Sequence, residues 1–465
     1  MRRRDFLKTT GVGAALGYAG KMRAAPAAEG WSQLPAILNR IRPPAFPGRD
    51  FEIARYGAAG DGKKDCTSAI AAAIAACHQA GGGRVVVPPG VYLTGAIHLQ
   101  SNVNLHINEG ATLRFDRDSR RYLPLVFTRW EGMECMNYSA FLYSDGQDNI
   151  AVTGAGTLDG QCDCEHWWPW KGRTNCGWSK GQPNQDAARK ALYDMVARDV
   201  PASERKFGEG SYLRPAFIQP VRGKNILIEG VRIVNSPMFE INPLYCSNIT
   251  VRGVKIESHG PNNDGCDPDS CNDVLIENCV FDTGDDCIAI KSGRNRDGRR
   301  VGRPSENIVV RSCTMKEGHG AITIGSEMSG GVRNVFAENC NLDSPRLDQA
   351  LRFKTNALRG GAIENVFYRN ITIGQIADAV VQIDFYYEEG PNGPERPVVR
   401  NIDIRNVTCK QAKYALNVRG FPKAPILNLH LENCDFERVA NANIIENVEG
   451  LVLEKVTVNG KRLDA

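Results

Sequence analysis

Acidic residues crowd two neighbouring stretches of the chain. His259-Gly-Pro-Asn-Asn-Asp264-Gly-Cys-Asp267-Pro-Asp269 is followed closely by Thr283-Gly-Asp285-Asp286-Cys-Ile-Ala-Ile-Lys291. Carboxylates held in a fixed register can divide the work of general acid and general base, which is what cleavage of a glycosidic bond needs. Crowded on one face they raise one another's pKa, so that one stays protonated while its neighbours are charged. Farther along come Gly318-His319-Gly320 and Arg352-Phe353-Lys354. A guanidinium beside an ammonium suits a substrate that carries a carboxylate. Any one of these acids alone reads as a turn residue, and the cations alone as compensating charge. The chemistry therefore depends on an element that sets them side by side.

That element is a repeat. Take Asn225, Asn248, Asp273, Asn307, Asn334, Asn365, Asn401, Asn428 and Gly450 as anchors. One residue past each is Ile226, Ile249, Val274, Ile308, Val335, Val366, Ile402, Leu429 and Leu451, all apolar. Positions three and six past the anchors are apolar too, with Cys279, Cys313 and Cys340 on consecutive units at one inward phase, read as small packing residues. Alternation within a unit, recurring every 22 to 36 residues, means short strands that stack on their equivalents in the next turn. The fold class expected is all-β, a single-stranded right-handed parallel β-helix; leucine-rich and propeller frames do not match this period.

The repeat sets the register of the chemistry. Asp285 lies 12 residues past Asp273 and His319 lies 12 past Asn307, so their backbones should sit one strand spacing apart, about 4.8 Å. Ile288-Ala-Ile290-Lys291 matches Leu351-Arg352-Phe353-Lys354, which gives Lys291 and Lys354 one phase and points Arg352 and Lys354 outward together. Asp264, Asp285, Asp286, His319, Arg352 and Lys354 then share four successive turns. Asp267 and Asp269 drop to turn or supporting residues.

The remaining stretches are assigned around this core. Residues 1–27 hold an arginine pair before Phe6-Leu7-Lys8, a Gly/Ala run and Ala25-Pro26-Ala27, the pattern of a twin-arginine export signal, which predicts a periplasmic or secreted protein. Its removal takes away six cations and one acid, lowering the formal charge from +4 to about −1, so bulk charge says nothing of the partner. Residues 28–48 are expected to be a linker and 49–465 one β-helix domain. Within it, Ile70, Ile74 and Cys77 mark a helix capping the N-terminal end of the stack, and Asp61 and Asp65 read as turn residues rather than metal ligands. An irregular insertion at about 160–215 carries His166-Trp-Trp-Pro-Trp170 and Trp178, which suit either stacking on sugars or packing of the loop itself. No run of eighteen apolar residues occurs, so nothing is expected to span a membrane after processing. Fifteen cysteines suggest disulfides in an exported chain, but the inward phase of several argues for free thiols.

Asn263-Asp264-Gly265, Gly284-Asp285-Asp286, Gly318-His319-Gly320 and Arg352-Phe353-Lys354, in that order on a β-helix, resemble the four signature motifs of the polygalacturonase family, glycoside hydrolase family 28. The resemblance runs from about residue 50 to the C-terminus. It implies hydrolysis of α-1,4-linked galacturonan in pectin with inversion, with Asp285 as general acid, Asp264 and Asp286 activating water, and His319 orienting the acid. Arg352 and Lys354 would hold the galacturonate carboxylate, with Asn263, Lys291 and a tyrosine, Tyr386 or Tyr387, at the substrate. The first motif usually reads Asn-Thr-Asp and here reads Asn262-Asn263-Asp264; the last usually has Ile where Phe353 stands. The segment Gly265-Cys-Asp267-Pro-Asp269 and the insertion resemble exo-acting members. No cofactor and no metal are implied, and the partner expected is a pectic polysaccharide or oligogalacturonide met by a monomer, with no nucleic acid. Other readings are a rhamnogalacturonan-type hydrolase, a calcium-dependent pectate lyase, and a non-catalytic carbohydrate-binding β-helix.

Overall fold

A computed structural model gives the structure of residues 30–464, so the expected export signal lies outside the described residues. The chain winds as a right-handed parallel β-helix whose successive coils stack in the register of the repeat. Ile226 pairs with Ile249, and the column continues through Val274, Ile308, Val335, Val366, Ile402 and Leu429. These side chains point inward and build one continuous core along the coil.

The anchor residues have a backbone reason for their identity. Asn225, Asn248, Asp273, Asn307, Asn334, Asn365, Asn401 and Asn428 all have φ between 54° and 61°. That left-handed conformation costs most L-residues about 1–2 kcal/mol and is visited routinely by Gly, Asn and Asp. The asparagine amides then bond from coil to coil: Asn334 Nδ2 donates to Asn307 Oδ1 at 3.2 Å and Asn365 Nδ2 to Asn334 Oδ1 at 3.3 Å. A second ladder runs through Asn339, Asn370, Asn406 and Asn433. Cys279, Cys313 and Cys340 are buried in the core as expected, all fifteen cysteines are free thiols, and only Cys164 is exposed.

The stretch expected as a linker, 28–48, instead carries a short helix, α1 (Leu34–Arg40). Leu34, Ile37 and Ile41 bury against Leu275, Val309, Phe336 and Phe367, and Trp31 meets the rings of Phe336 and Phe367 at 5.5 and 6.1 Å. Arg40 Nη2 reaches Asp273 at 2.7 Å, and the Arg42 amide donates to Asn248 Oδ1 at 2.8 Å. The cause is the outward position two past each anchor, which is apolar on these four successive coils and must be covered. At the N-terminal end of the stack, helix α2 (Thr67–Gln79) turns Ile70, Ala73, Ile74 and Cys77 onto the first coil. Asp61 and Asp65 accept backbone amides of Lys63, Lys64 and Thr67, as turn residues do.

One face of the coil carries the motifs. Its strands are β1 (Ile288–Ile290), β2 (Gly318–Ile324), β3 (Leu347–Lys354), β4 (Ala379–Asp384), β5 (Tyr414–Arg419) and β6 (Ile444–Glu446). Isolated bridges extend the same column backwards through Cys266, Ile241 and Ile218. The insertion at 160–215 is irregular apart from short 3-10 turns and helix α3 (Asp186–Ala197), and its rings pack on one another. Trp167 is buried against Tyr122, Phe141 and Trp170 at 5.4, 5.7 and 4.6 Å.

Candidate active site

Inward-facing Cys266, Ile288, Ile322 and Leu351 stack in one column and so fix the outward phase of the residues around them. Asp264 precedes the bridge at Cys266, Asp285 and Asp286 precede β1, His319 lies in β2, and Arg352 and Lys354 close β3. The expected neighbours do meet: the His319 amide donates to the Asp285 carbonyl at 3.0 Å, and His319 Nδ1 stands 3.1 Å from Asp285 Oδ1. Asp264, Asp285 and Asp286 each bring an oxygen within 4.8 Å of the others. Arg352 Nη1 donates to Asp286 Oδ1 at 3.0 Å and Lys354 Nζ to Asp286 Oδ2 at 2.5 Å. Tyr387 resolves the tyrosine alternative, since its ring lies 5.4 Å from Lys354 Nζ and lines the pocket, whereas Tyr386 turns away onto Phe421.

Environment separates the three carboxylates. Burial, reinforced by the charge of Asp285 and opposed by Lys291, pushes the Asp264 pKa up to about 8. Burial would also raise Asp285, but the His319 hydrogen bond and the charges of His319, Lys354 and Lys291 hold it well below the usual range. Asp286 is likewise lowered against burial, by Lys354 and Arg352. The Asp285 hydrogen bond carries His319 up to about 9 despite partial burial. In the free protein the trio therefore keeps its proton on Asp264, while Asp285, at 19% side-chain exposure the most accessible of the three, is an ion paired with an imidazolium.

One expected substrate contact is corrected. Asn263 is fully buried, its Oδ1 accepting from Ser258 and the Gly260 amide and its Nδ2 donating to the carbonyls of Ser236 and Met238. Its place in the motif serves the turn that presents Asp264. Lys291 borders the pocket as expected, its largely buried ammonium shared among Asp264, Glu327 and Asp267 at 3.4, 3.3 and 3.5 Å, so it balances these acids at the pocket wall. Asp269 pairs with Arg129 at 2.6 Å inside the wall.

Asp264, Asp285, His319, Arg352, Lys354 and Tyr387 line a pocket of about 560 Å³, with Asp286 fully buried behind them. Besides the motif residues it is lined by Glu131, by Lys171, Arg173 and Arg189 of the insertion, and by Arg294, Glu327 and Glu388. Among the described residues, no tryptophan lines it. Sequence reasoning missed these wall residues because they belong to no repeat; the one available signal was the cations interleaved with tryptophans in the insertion. It also missed Glu240, fully buried behind Asp264, whose pKa is driven far up by burial and by the charge of Asp264. The carboxylate trio could in principle take a cation, but His319, Lys291, Arg352 and Lys354 already neutralise it, a donor set unsuited to the calcium of a lyase.

Comparison with known proteins places this geometry. The profile of glycosyl hydrolases family 28 matches residues 202–455, and one described as rhamnogalacturonase A/epimerase, pectate lyase-like matches residues 51–110. The crystal structure of a hyperthermoactive exopolygalacturonase from Thermotoga maritima is 44% identical and superposes with a TM-score of 0.91, covering 93% of this chain and 97% of that one. A probable polygalacturonase of Vitis vinifera is 27% identical over 85% of this chain and 77% of its own length. An exo-poly-alpha-D-galacturonosidase of Dickeya chrysanthemi is 28% identical over 78% of this chain and 62% of its own length. With a profile covering more than half of its length and a solved relative matching almost end to end, the chain belongs to glycosyl hydrolase family 28.

Proposed function

We propose that the protein is a pectin-degrading hydrolase of α-1,4-linked galacturonan that works from a chain end. The observation that carries this reading is the meeting, at one pocket, of the closely set Asp264, Asp285 and Asp286 carboxylates with the Arg352 and Lys354 pair. The first supplies acid and base; the second, beside Tyr387, is a ready partner for a uronate carboxylate. End-on action is supported by the wall that the insertion and Glu131 raise on one side of the pocket, and by the exo-acting relatives.

Asp285, the most accessible carboxylate, is the acid on the leaving oxygen. Its proton comes through the hydrogen bond from His319. A uronate docking beside Arg352 and Lys354 adds negative charge next to Asp285 and offsets the cations that keep it ionised, which raises its proton affinity. Asp264, once deprotonated, and Asp286 hold the attacking water. Inversion is the outcome expected of the family. A time course of product lengths from a defined galacturonan, followed by NMR of the first anomer formed, tests substrate, end preference and stereochemistry together. Monomer release with inversion is expected, and an early ladder of mid-length products would overturn end-on action.

Export by the twin-arginine route is also proposed, on Arg3-Arg4-Asp5-Phe6-Leu7-Lys8 and the small-residue site after it. Arg3→Lys with Arg4→Lys should leave the enzyme in the cytoplasmic fraction; unchanged export would refute it.

A further inference from the structure

The insertion uses its tryptophans for anchorage and turns its cations to the pocket. Trp168 Nε1 bonds the Ser236 carbonyl at 2.8 Å, Trp167 and Trp170 pack on the aromatic cluster, and the chain then passes Lys171 and Arg173 along the pocket wall. Lys171 is 13% exposed along its side chain, and its ammonium makes one hydrogen bond, 2.8 Å to Asn262 Oδ1, with Glu131 at 4.0 Å. An ammonium has three donors, so two remain for whatever enters the pocket. Its seat is built: Asn262 Oδ1 also accepts from Arg214 Nη2 at 2.9 Å. Arg214, fully buried, is itself fixed by the carbonyls of Pro237 and Pro261. Arg173 follows, exposed and without an ion pair among the described residues.

Two cationic groups thus flank the carboxylate trio. Asn262, which seats Lys171, belongs to the coil of Asp264, whereas Arg352 and Lys354 rise from a coil three farther on and reach back to Asp286 at 3.0 and 2.5 Å. On adjacent sugars, a polymer with a carboxylate on every unit fills both positions, and one whose uronates alternate with neutral sugars fills one.

We propose that Lys171, assisted by Arg173, binds the carboxylate of a second uronate on the walled side of the scissile bond and so selects contiguous galacturonan over a backbone with alternating neutral sugars. This inference rests on the galacturonan reading above. The test uses trigalacturonate and its two isomers methyl-esterified on one terminal uronate. Wild type should cleave one isomer about 10- to 100-fold less efficiently than the free acid, through KM, the span of a charge-assisted hydrogen bond. Lys171→Gln should erase that discrimination and raise KM for the free acid by a similar factor while kcat holds. A folded Lys171→Gln enzyme that still discriminates, or that loses kcat at unchanged KM, overturns the inference. If that variant does not fold, Arg173→Gln on the exposed loop decides: discrimination reduced about threefold supports it, and discrimination as in wild type refutes it. A wild type that cleaves none of the three trimers sinks the galacturonan reading itself, and the inference with it.

Discussion

Asp285 differs from Asp264 in what it faces. Its carboxylate has an imidazolium and an opening to the pocket, while Asp264 has one unpartnered buried oxygen and one oxygen 3.4 Å from the Lys291 ammonium. Asp285→Asn keeps the shape and removes the proton donor, so kcat/KM on polygalacturonate should fall about 10³-fold with the thermal melt unchanged. An intact rate would end the general-acid assignment. His319 gives a signed prediction. Its pKa rises from 6.5 to about 9 on folding, so the stability it confers is complete below about 6.5 and is lost as pH climbs toward 9. Asp264, raised from 3.8 to about 8, adds a loss of the same sign over its own span. The melting temperature should therefore decline from pH 6.5 to 9, and His319→Gln should flatten the upper part of that decline. If the slope persists in the variant, the ion pair is not its source. kcat/KM of the wild type should carry an alkaline limb near pH 9 for the same reason, since neutral His319 leaves Asp285 without its proton source.

Among the elements, the anchor asparagines serve two needs at once, a left-handed backbone and a rung in an amide ladder. Substitution can separate them. Asn334→Ala should cost about 2–4 kcal/mol, combining strain with two lost bonds, whereas Asn334→Gly should cost about 1–2 kcal/mol less because glycine accepts the positive φ. Equal losses in denaturant titrations would mean that the ladder alone matters. The repeat was legible in the sequence because inward positions must be apolar on every coil, and that regularity also delivered the Asp285 and His319 contact. What it left unread follows the same logic in reverse. Leu275, Val309, Phe336 and Phe367 sit at outward positions where no rule of the repeat applies, so the need for α1 over them went unseen. Asn263 shares a motif with reactive neighbours, and adjacency in a motif does not say whether a side chain turns to the pocket or into the protein. Lys171 and Arg294 sit in connections of unique length, positioned by long-range contacts that leave no periodic trace.

Across the whole molecule, a stacked coil feels mainly its nearest neighbours, so its folding is a chain of local agreements that can fail in one place and hold in another. Helix α1 breaks that rule. It lies across the coils of Leu275, Val309, Phe336 and Phe367, and the opposite flanks of those same coils present Asp285 with Asp286, then His319, then Arg352 with Lys354, then Tyr387. It acts as a splint over four of the five coils that carry the site, Asp264 lying on the coil before them. Removing residues 30–42 would touch no reacting group. It should nonetheless broaden the thermal transition and depress kcat/KM at temperatures where circular dichroism still reports a folded chain; a sharp melt with full activity would refute this. The four coils would then breathe one by one, each correctly folded, and a site that needs all of them in step would be whole only for the fraction of time in which their independent fluctuations coincide.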